Sequence, residues 1–180
     1  MKEVYKERLQ IQWKNFSLEQ VNTKEGPDWR IWDQPDSYPA RGFPALRAAE
    51  AARRQGPEAY DRMHFALLEG RHERRKDFTD PKDILEIAGA AGLDLPRFKR
   101  DLPDPALKKI IGDDHMHALN TYGVFGTPTL LFENGEIFFV RIKAPQTAEE
   151  GAEIFEHVHS LFVQRHMVNE VKRPRRPRPE

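Results

Sequence analysis

The chain has 180 residues, of which 38% are hydrophobic and 32% are charged, so it is long enough to bury a core and too apolar to be disordered throughout. Its 29 basic and 29 acidic side chains give a net charge of zero, which excludes a general electrostatic attraction to nucleic acid or to an anionic membrane. It contains no cysteine, which excludes disulfides, thiolate nucleophiles and cysteine-bound metals within these residues.

The N-terminal segment predicts a strand preceded by a fragment of helix. In "LQIQWKNFSL", residues 9–18, Leu9, Ile11 and Trp13 alternate with polar side chains, which is the period of a half-buried strand. The charged segment before it, "KEVYKER", is typical of the last turns of a helix but has no start of its own. It also lacks the apolar core of a secretory signal, and the longest apolar runs are far shorter than the roughly 20 residues of a membrane helix. We therefore predict a cytoplasmic protein without a membrane partner.

The next segment, residues 22–40, is predicted to be an ordered loop because it is rich in Pro, Gly and Asp. Its Trp29 and Trp32 have two interpretations. They could line a substrate groove, or they could pack the loop onto a sheet, and the second interpretation is favoured.

Residues 42–122 are predicted to be helical throughout. The helices are separated by residues that start or stop them, with Pro and Asp at the starts and Gly at the ends. These residues are Gly56, Pro57, Asp80, Pro81, Gly92, Asp104 and Gly123.

The hydrophobic period changes after residue 123. Two apolar runs in "TPTLLFENGEIFFVRI" are joined by Asn134 and Gly135, which predicts a β-hairpin. The segment "AEEGAEIFEHVHSLFVQRHM" predicts a closing amphipathic helix. The last nine residues, 172–180, are predicted to be a disordered, basic, Pro-rich tail. Nucleic-acid binding by this tail is disfavoured, because no other basic patch extends it.

This order of elements, with "GVFGTPT" opening the hairpin, resembles the DsbA family of thioredoxin-like proteins. The segments "IQWKNFSLEQVN", "AGLDLPRF" and "DDHMHALNTYGVFGTPTLLFENG" carry the resemblance. The most similar branch contains DsbA-like dithiol oxidoreductases and 2-hydroxychromene-2-carboxylate isomerases. The resemblance implies an α/β fold, in which residues 1–41 and 123–171 form a thioredoxin-like domain and residues 42–122 form an all-helical insertion.

In such proteins the proline that corresponds to Pro128 follows a cis peptide bond and exposes the backbone of the preceding residue beside the redox pair. The resemblance therefore implies that Gly126, Thr127 and Pro128 bind substrate. The expected partner is an extended peptide, a thiol or a glutathione-like molecule, and no cofactor is expected. The alternative interpretation of this tripeptide is an ordinary turn into a strand.

The family's chemistry lies upstream, where a first strand precedes a Cys-x-x-Cys pair, or a serine in the isomerase branch. In this chain the match starts just before "RLQIQW", so the first strand and most of the first helix have no counterpart and no catalytic residue is assigned. The resemblance implies a thiol–disulfide oxidoreductase that is inactive as written. The alternatives are a glutathione-linked isomerase and a cysteine-free binding module, so whether the chain is an enzyme stays open.

We favour a misassigned start over natural loss of the redox centre. The absent strand would be central in a thioredoxin-like sheet, and its neighbours would lose their hydrogen-bond partners. We therefore expect a monomer of low stability, or a swapped or rearranged dimer.

The motif "DDHMH" carries carboxylates and imidazoles within one and a half helical turns. Asp113 and His117 are four residues apart and could share a metal, but a third ligand is lacking, so a polar helix face is favoured and no metal site is predicted. The resemblance implies a packing or hydrogen-bonding role for Asp114 and His115 near the active-site face. Ser17 lacks a positioned base, so its hydroxyl is predicted to be a turn or cap group.

Overall fold

The computed structural model describes residues 2–165 and 167–171. Close contacts divide the chain into two compact units. The first is Met1–Trp13 with Thr127–Glu180, of which residues 1, 166 and 172–180 lie outside the description, and the second is Lys14–Gly126. The domain boundaries drawn from the sequence, between 41 and 42 and between 122 and 123, stay a prediction. The predicted tail, residues 172–180, lies outside the described residues.

The described residues form eight α-helices, two 3₁₀ turns and two strands. In chain order they are α1 (Lys2–Tyr5), a 3₁₀ turn (Lys6–Arg8), α2 (Leu18–Val21), a 3₁₀ turn (Ile31–Asp33), α3 (Phe43–Arg53), α4 (Pro57–His72), α5 (Pro81–Ala90), α6 (Leu95–Asp101), α7 (Pro105–Tyr122), β1 (Thr129–Leu131), β2 (Ile137–Phe139) and α8 (Ala148–Phe162). Among the described residues, none of the helices combines the length and apolarity needed to cross a membrane.

Helices α3 to α7 of the second unit start and stop close to the residues that the sequence predicts. Asp80 and Asp104 cap α5 and α7, because their carboxylates accept hydrogen bonds from the backbone N–H groups of Lys82 and Ala106. Asp94 caps α6 in the same way. Each helix from α3 to α7 also has a proline in its first turn, namely Pro44, Pro57, Pro81, Pro96 and Pro105.

The core of the second unit lies between these helices. Phe98, Met63, Leu107 and Ile111 are all fully buried there. Trp29 and Trp32 pack against a cluster formed by Ile31, Ala40, Phe43 and Ile111. The tryptophans therefore pack their loop, as favoured above, but against helices rather than against a sheet.

Gly112 of α7 brings the backbone of this helix against the indole of Trp32. A Cβ atom at position 112 would lie 2.9 Å from three atoms of the indole ring. Because this distance is too short for a Cβ atom and ring atoms that are not bonded to it, only glycine allows the observed packing.

We expect Gly112→Ala to destabilise the protein by about 1–3 kcal/mol, because the Trp32 ring must move out of its packed position. Urea unfolding followed by circular dichroism measures this change. Gly26→Ala is the matched control, because nothing lies within 4 Å of a Cβ atom built there. Equal stabilities of the two variants would contradict the packing described here.

The first unit contains the predicted β-hairpin. Strands β1 and β2 are antiparallel, with Leu130 opposite Phe138. In the turn, Gly135 has a φ of 86°, a conformation that favours glycine, and Phe132 N–H donates to the Glu136 carbonyl. The hairpin prediction is therefore confirmed.

Helix α8 packs on this hairpin through aromatic side chains, as its amphipathic sequence predicts. The ring of Phe162 stacks on Phe138 with 4.9 Å between centroids, and Phe155 lies 6.3 Å from Phe132. Tyr5 of α1 contacts the same helix, with its ring 5.7 Å from Phe155.

The strand predicted over residues 9–18 is wrong: residues 9–17 have no regular secondary structure, and α2 starts at Leu18. The predicted alternation of half-buried and exposed side chains is present over residues 9–14. The reason for the difference is that a strand needs a neighbouring strand for its backbone groups. Here the N–H groups of Asn15 and Ser17 donate instead to side chains of α7.

Candidate functional site

The residues predicted to bind substrate follow the end of α7. This helix stops at Gly123, whose φ of 64° is in the left-handed region, and Val124 N–H then donates to the Ala118 carbonyl. Phe125 is 69% exposed, the largest exposed fraction of any aromatic side chain among the described residues, whereas Gly126 is buried. The second unit therefore ends in a fixed turn that presents an aromatic ring to solvent.

Thr127 and Pro128 begin the part of the first unit that leads into β1. Both are exposed, and the peptide bond between them is cis. The Pro128 carbonyl accepts a hydrogen bond from Val140 N–H at 3.2 Å, which ties the proline to the end of β2. The tripeptide thus lies at the entry of a hairpin, and its binding of substrate stays a prediction.

A buried polar cluster, which we call the Asn15 network, lies in the second unit. Asn15 is 3% exposed, and its Nδ2 donates to Glu50 Oε1 and to Asp114 Oδ2, both at 2.9 Å. Its backbone N–H donates to the same Asp114 oxygen at 3.1 Å. One asparagine therefore links residues 14–17, which have no regular secondary structure, to α3 and α7.

The two carboxylates of the Asn15 network have cationic partners. Arg53 Nε lies 3.0 Å from Glu50 Oε2, and Lys14 Nζ lies 3.4 Å from Asp114 Oδ1. The Arg53 guanidinium also lies 3.5 Å from the ring centroid of Tyr60. Burial raises the pKa of Tyr60 to about 12, so this phenol stays protonated at neutral pH. The network is balanced in charge, which suits a structural role.

His115 holds the neighbouring residues Phe16 and Ser17. Its side chain is 1% exposed, and its Nδ1 accepts a hydrogen bond from Ser17 N–H at 3.2 Å. The imidazole stacks on Phe16, with 4.4 Å between centroids, and lies 5.3 Å from Trp32. Burial, and secondarily the positive charge of Arg30, lower the pKa of His115, which favours the neutral ring that this acceptor role requires.

The chemistry available to these residues is limited. The Ser17 hydroxyl is buried and accepts from Gln20 N–H as the N-cap of α2, so the predicted cap role is confirmed. Asp113 is exposed and pairs with Lys109 at 2.5 Å. In the part of the chain that the structure describes, no three metal-binding side chains come together.

The structure tests the predicted role of Asp114 and His115 only in part. Asp114 and His115 have the predicted packing and hydrogen-bonding role, and their proximity to an active-site face stays untested. Asn15 and Glu50 were missed. The signal for Asn15 was present, because it continues the half-buried positions of Leu9, Ile11 and Trp13 with a polar side chain. Glu50 is a single acid among the buried alanines of α3.

Comparison with known proteins agrees with this fold. The family described as "DSBA-like thioredoxin domain" matches residues 1–150. Over 133 residues the chain is 31% identical to the ClpXP adapter protein SpxH of Bacillus subtilis (strain 168), covering 74% of this chain and 43% of SpxH.

Two further relatives match shorter parts. SpxH of Shouchella clausii is 32% identical over 99 residues, covering 55% of this chain and 32% of that protein. The Na(+)/H(+) antiporter NhaA 3 of Salinispora tropica is 38% identical over 107 residues, covering 59% of this chain and 15% of the antiporter. The chain thus spans less than half the length of the curated relatives it matches.

A mostly helical chain with a small antiparallel sheet, matched by this family over most of its length, confirms the α/β, thioredoxin-like fold predicted from the sequence. The chain belongs to the DSBA-like thioredoxin domain family.

Proposed function

We propose that these residues form a binding module that docks an extended polypeptide at the segment Gly126–Thr127–Pro128, without disulfide exchange by side chains of their own. The observation that carries this proposal is the combination of a DSBA-like thioredoxin domain over residues 1–150 with a complete lack of cysteine. Disulfide exchange requires a thiolate, and none of the 180 side chains can form one.

The geometry of the segment supports polypeptide binding. Thr127 and Pro128 are exposed, and the adjacent Phe125 offers an aromatic ring that is 69% exposed. Aromatic side chains contribute strongly to protein interfaces when a partner covers them. An extended chain can add backbone hydrogen bonds to an exposed main chain, as in strand addition to the edge of a sheet.

The similarity to SpxH supports binding rather than chemistry. SpxH is named as an adapter protein, and the chain is similar to it over 133 residues. The buried polar side chains of the second unit favour the same conclusion. Asn15, Ser17 and His115 are 1–3% exposed and each makes hydrogen bonds within the unit, so none of them is open to a bound substrate.

The proposal is tested with a polypeptide that has no free thiol. Reduced, carboxymethylated lactalbumin is immobilised, and binding of the chain is measured by surface plasmon resonance. We expect Phe125→Ala to weaken binding by about tenfold or more, because it removes an aromatic anchor. Phe65→Ala is the matched control, since Phe65 is a 46% exposed phenylalanine on α4, outside the proposed segment.

Two outcomes would contradict the proposal. One is no binding of the carboxymethylated polypeptide, and the other is an equal loss of binding in Phe125→Ala and Phe65→Ala. Binding of oxidised glutathione in place of the polypeptide would favour the glutathione-linked alternative instead.

A cytoplasmic location remains our proposal from the sequence. A swapped or rearranged dimer also remains a proposal, and sedimentation velocity at several protein concentrations tests it. A monomer at every concentration, together with a cooperative melt at high temperature, would contradict it.

A further inference from the structure

We propose that His115 is a pH-sensitive fastener, which holds Phe16, Ser17 and the start of α2 against α7 while its ring is neutral and releases them when the ring is protonated. This inference is independent of the proposed binding function, because it concerns residues 15–20 and α7 alone. It rests on the place of the imidazole in the second unit and on the single backbone group that the imidazole binds.

The fastening contact depends on one nitrogen atom. His115 Nδ1 accepts the Ser17 backbone N–H at 3.2 Å, and both residues are almost fully buried, at 1% and 2% exposed. A neutral imidazole has one acceptor nitrogen, whereas a protonated imidazole carries hydrogen on both nitrogens and accepts nothing. Protonation therefore turns an acceptor into a donor that points at another donor.

Ser17 is the residue at which release would matter. Its hydroxyl caps α2 by accepting from Gln20 N–H at 3.2 Å, and α2 has only four residues, Leu18–Val21. So short a helix is not stable without tertiary contacts. Loss of the contact between Ser17 and His115 is thus expected to loosen both Ser17 and α2.

The ionisable groups of the neighbouring elements do not compensate a charge on the ring. Arg30, which precedes the 3₁₀ turn at Ile31–Asp33, opposes a positive charge on His115. Asp114, the adjacent residue on α7, is already bound to Asn15 and Lys14. Glu50 on α3, the other acid of the Asn15 network, is bound to Asn15 and to Arg53.

The direction of the pH dependence follows from linkage. Burial lowers the pKa of folded His115 below its ordinary value of about 6.5, which the unfolded chain retains. The unfolded state therefore binds the proton more readily. The stability contributed by the fastener is fully present above about pH 6.5 and is lost as the pH falls through the lower pKa of the folded state.

Nuclear magnetic resonance tests the fastener directly on the full chain. The His115 imidazole is titrated between pH 8 and pH 5, and the hydrogen-exchange protection of the Ser17 amide is measured at each pH. We expect the protection factor of Ser17, corrected for intrinsic exchange, to fall by about tenfold or more as His115 is protonated. The midpoint of this fall is expected to coincide with the imidazole titration.

His115→Asn is the decisive variant. The Asn amide oxygen can replace Nδ1 as an acceptor but does not titrate, so Ser17 protection is expected to stay constant over this pH range. His117→Asn is the matched control, since it removes an exposed histidine from the same helix and is expected to behave like the unmodified chain.

Three results would overturn the proposal: a His115 ring that does not titrate above pH 5, Ser17 protection that stays unchanged while the ring titrates, or His115→Asn with the full pH effect. Should His115→Asn fail to fold, the two midpoints in the unmodified chain still decide the question.

Discussion

Asn15→Asp is expected to destabilise the protein by about 3–5 kcal/mol at pH 7, as is typical when a buried charge loses its compensation. The side chain keeps its size, so packing is unchanged. The two hydrogen bonds from Nδ2 to Glu50 and Asp114 are lost, and a third carboxylate is placed 2.9 Å from each of these oxygens. Urea unfolding followed by circular dichroism measures the loss.

The pH dependence separates charge repulsion from the loss of hydrogen bonds. The two neighbouring carboxylates raise the pKa of the new aspartate in the folded state above its ordinary value of about 3.9. The loss of stability that comes from charge repulsion is therefore absent below about pH 3.9, and it grows as the pH rises through the folded-state pKa of the new aspartate. We expect the stability difference from the unmodified chain to narrow between pH 7 and pH 5.

Two variants serve as controls for Asn15→Asp. Asn15→Ala removes the donors without adding a charge, so its smaller loss of stability is expected to vary less with pH. Asn22→Asp makes the same chemical change at an exposed asparagine and is expected to cost less than about 1 kcal/mol. A loss of stability in Asn15→Asp no larger than that in Asn22→Asp would show that the Asn15 network is unimportant.

Phe98→Ala is expected to destabilise the protein by about 3–5 kcal/mol, because a large buried ring is replaced by a cavity. Phe98 is fully buried, and it lies in α6, a helix of seven residues that cannot be stable without such an anchor. Thermal unfolding followed by circular dichroism gives the change in free energy.

The same substitution at an exposed position provides the comparison. Phe65→Ala on α4 removes an equal ring that is already 46% exposed, so a loss below about 1 kcal/mol is expected. If Phe98→Ala unfolded with the stability of Phe65→Ala, α6 would not depend on its buried ring and the described core would be incorrect.

The helices and the hairpin could be predicted because their signals are local. Asp80 and Asp104 cap helices through hydrogen bonds to backbone groups two residues away, and Gly135 allows the tight turn through its own φ. Such signals act over a few residues and need no knowledge of the rest of the fold. Residues 9–17 show the limit of prediction from local signals, because a strand also depends on a partner strand that is distant in sequence.

The candidate site could be predicted only in part for the same reason. Asp114 and His115 stood out as an unusual polar motif, but their partners Asn15 and Ser17 are about 100 residues away in sequence. No periodic pattern connects residues so far apart. The tripeptide Gly126–Thr127–Pro128 was identified by family resemblance and not from the chemistry of its side chains.

The prolines at the starts of α3 to α7 restrict how copies of this chain could exchange parts. Copies of a chain can exchange an identical element through a hinge loop. In a helical segment one such route is a hinge that straightens, so that two consecutive helices fuse into one long helix. A proline in the first turn blocks such fusion, because it lacks the N–H needed to continue the preceding helix and its ring clashes with the preceding turn. If two copies interlock, we therefore do not expect the exchange to occur by fusion of consecutive helices at the starts of α3 to α7.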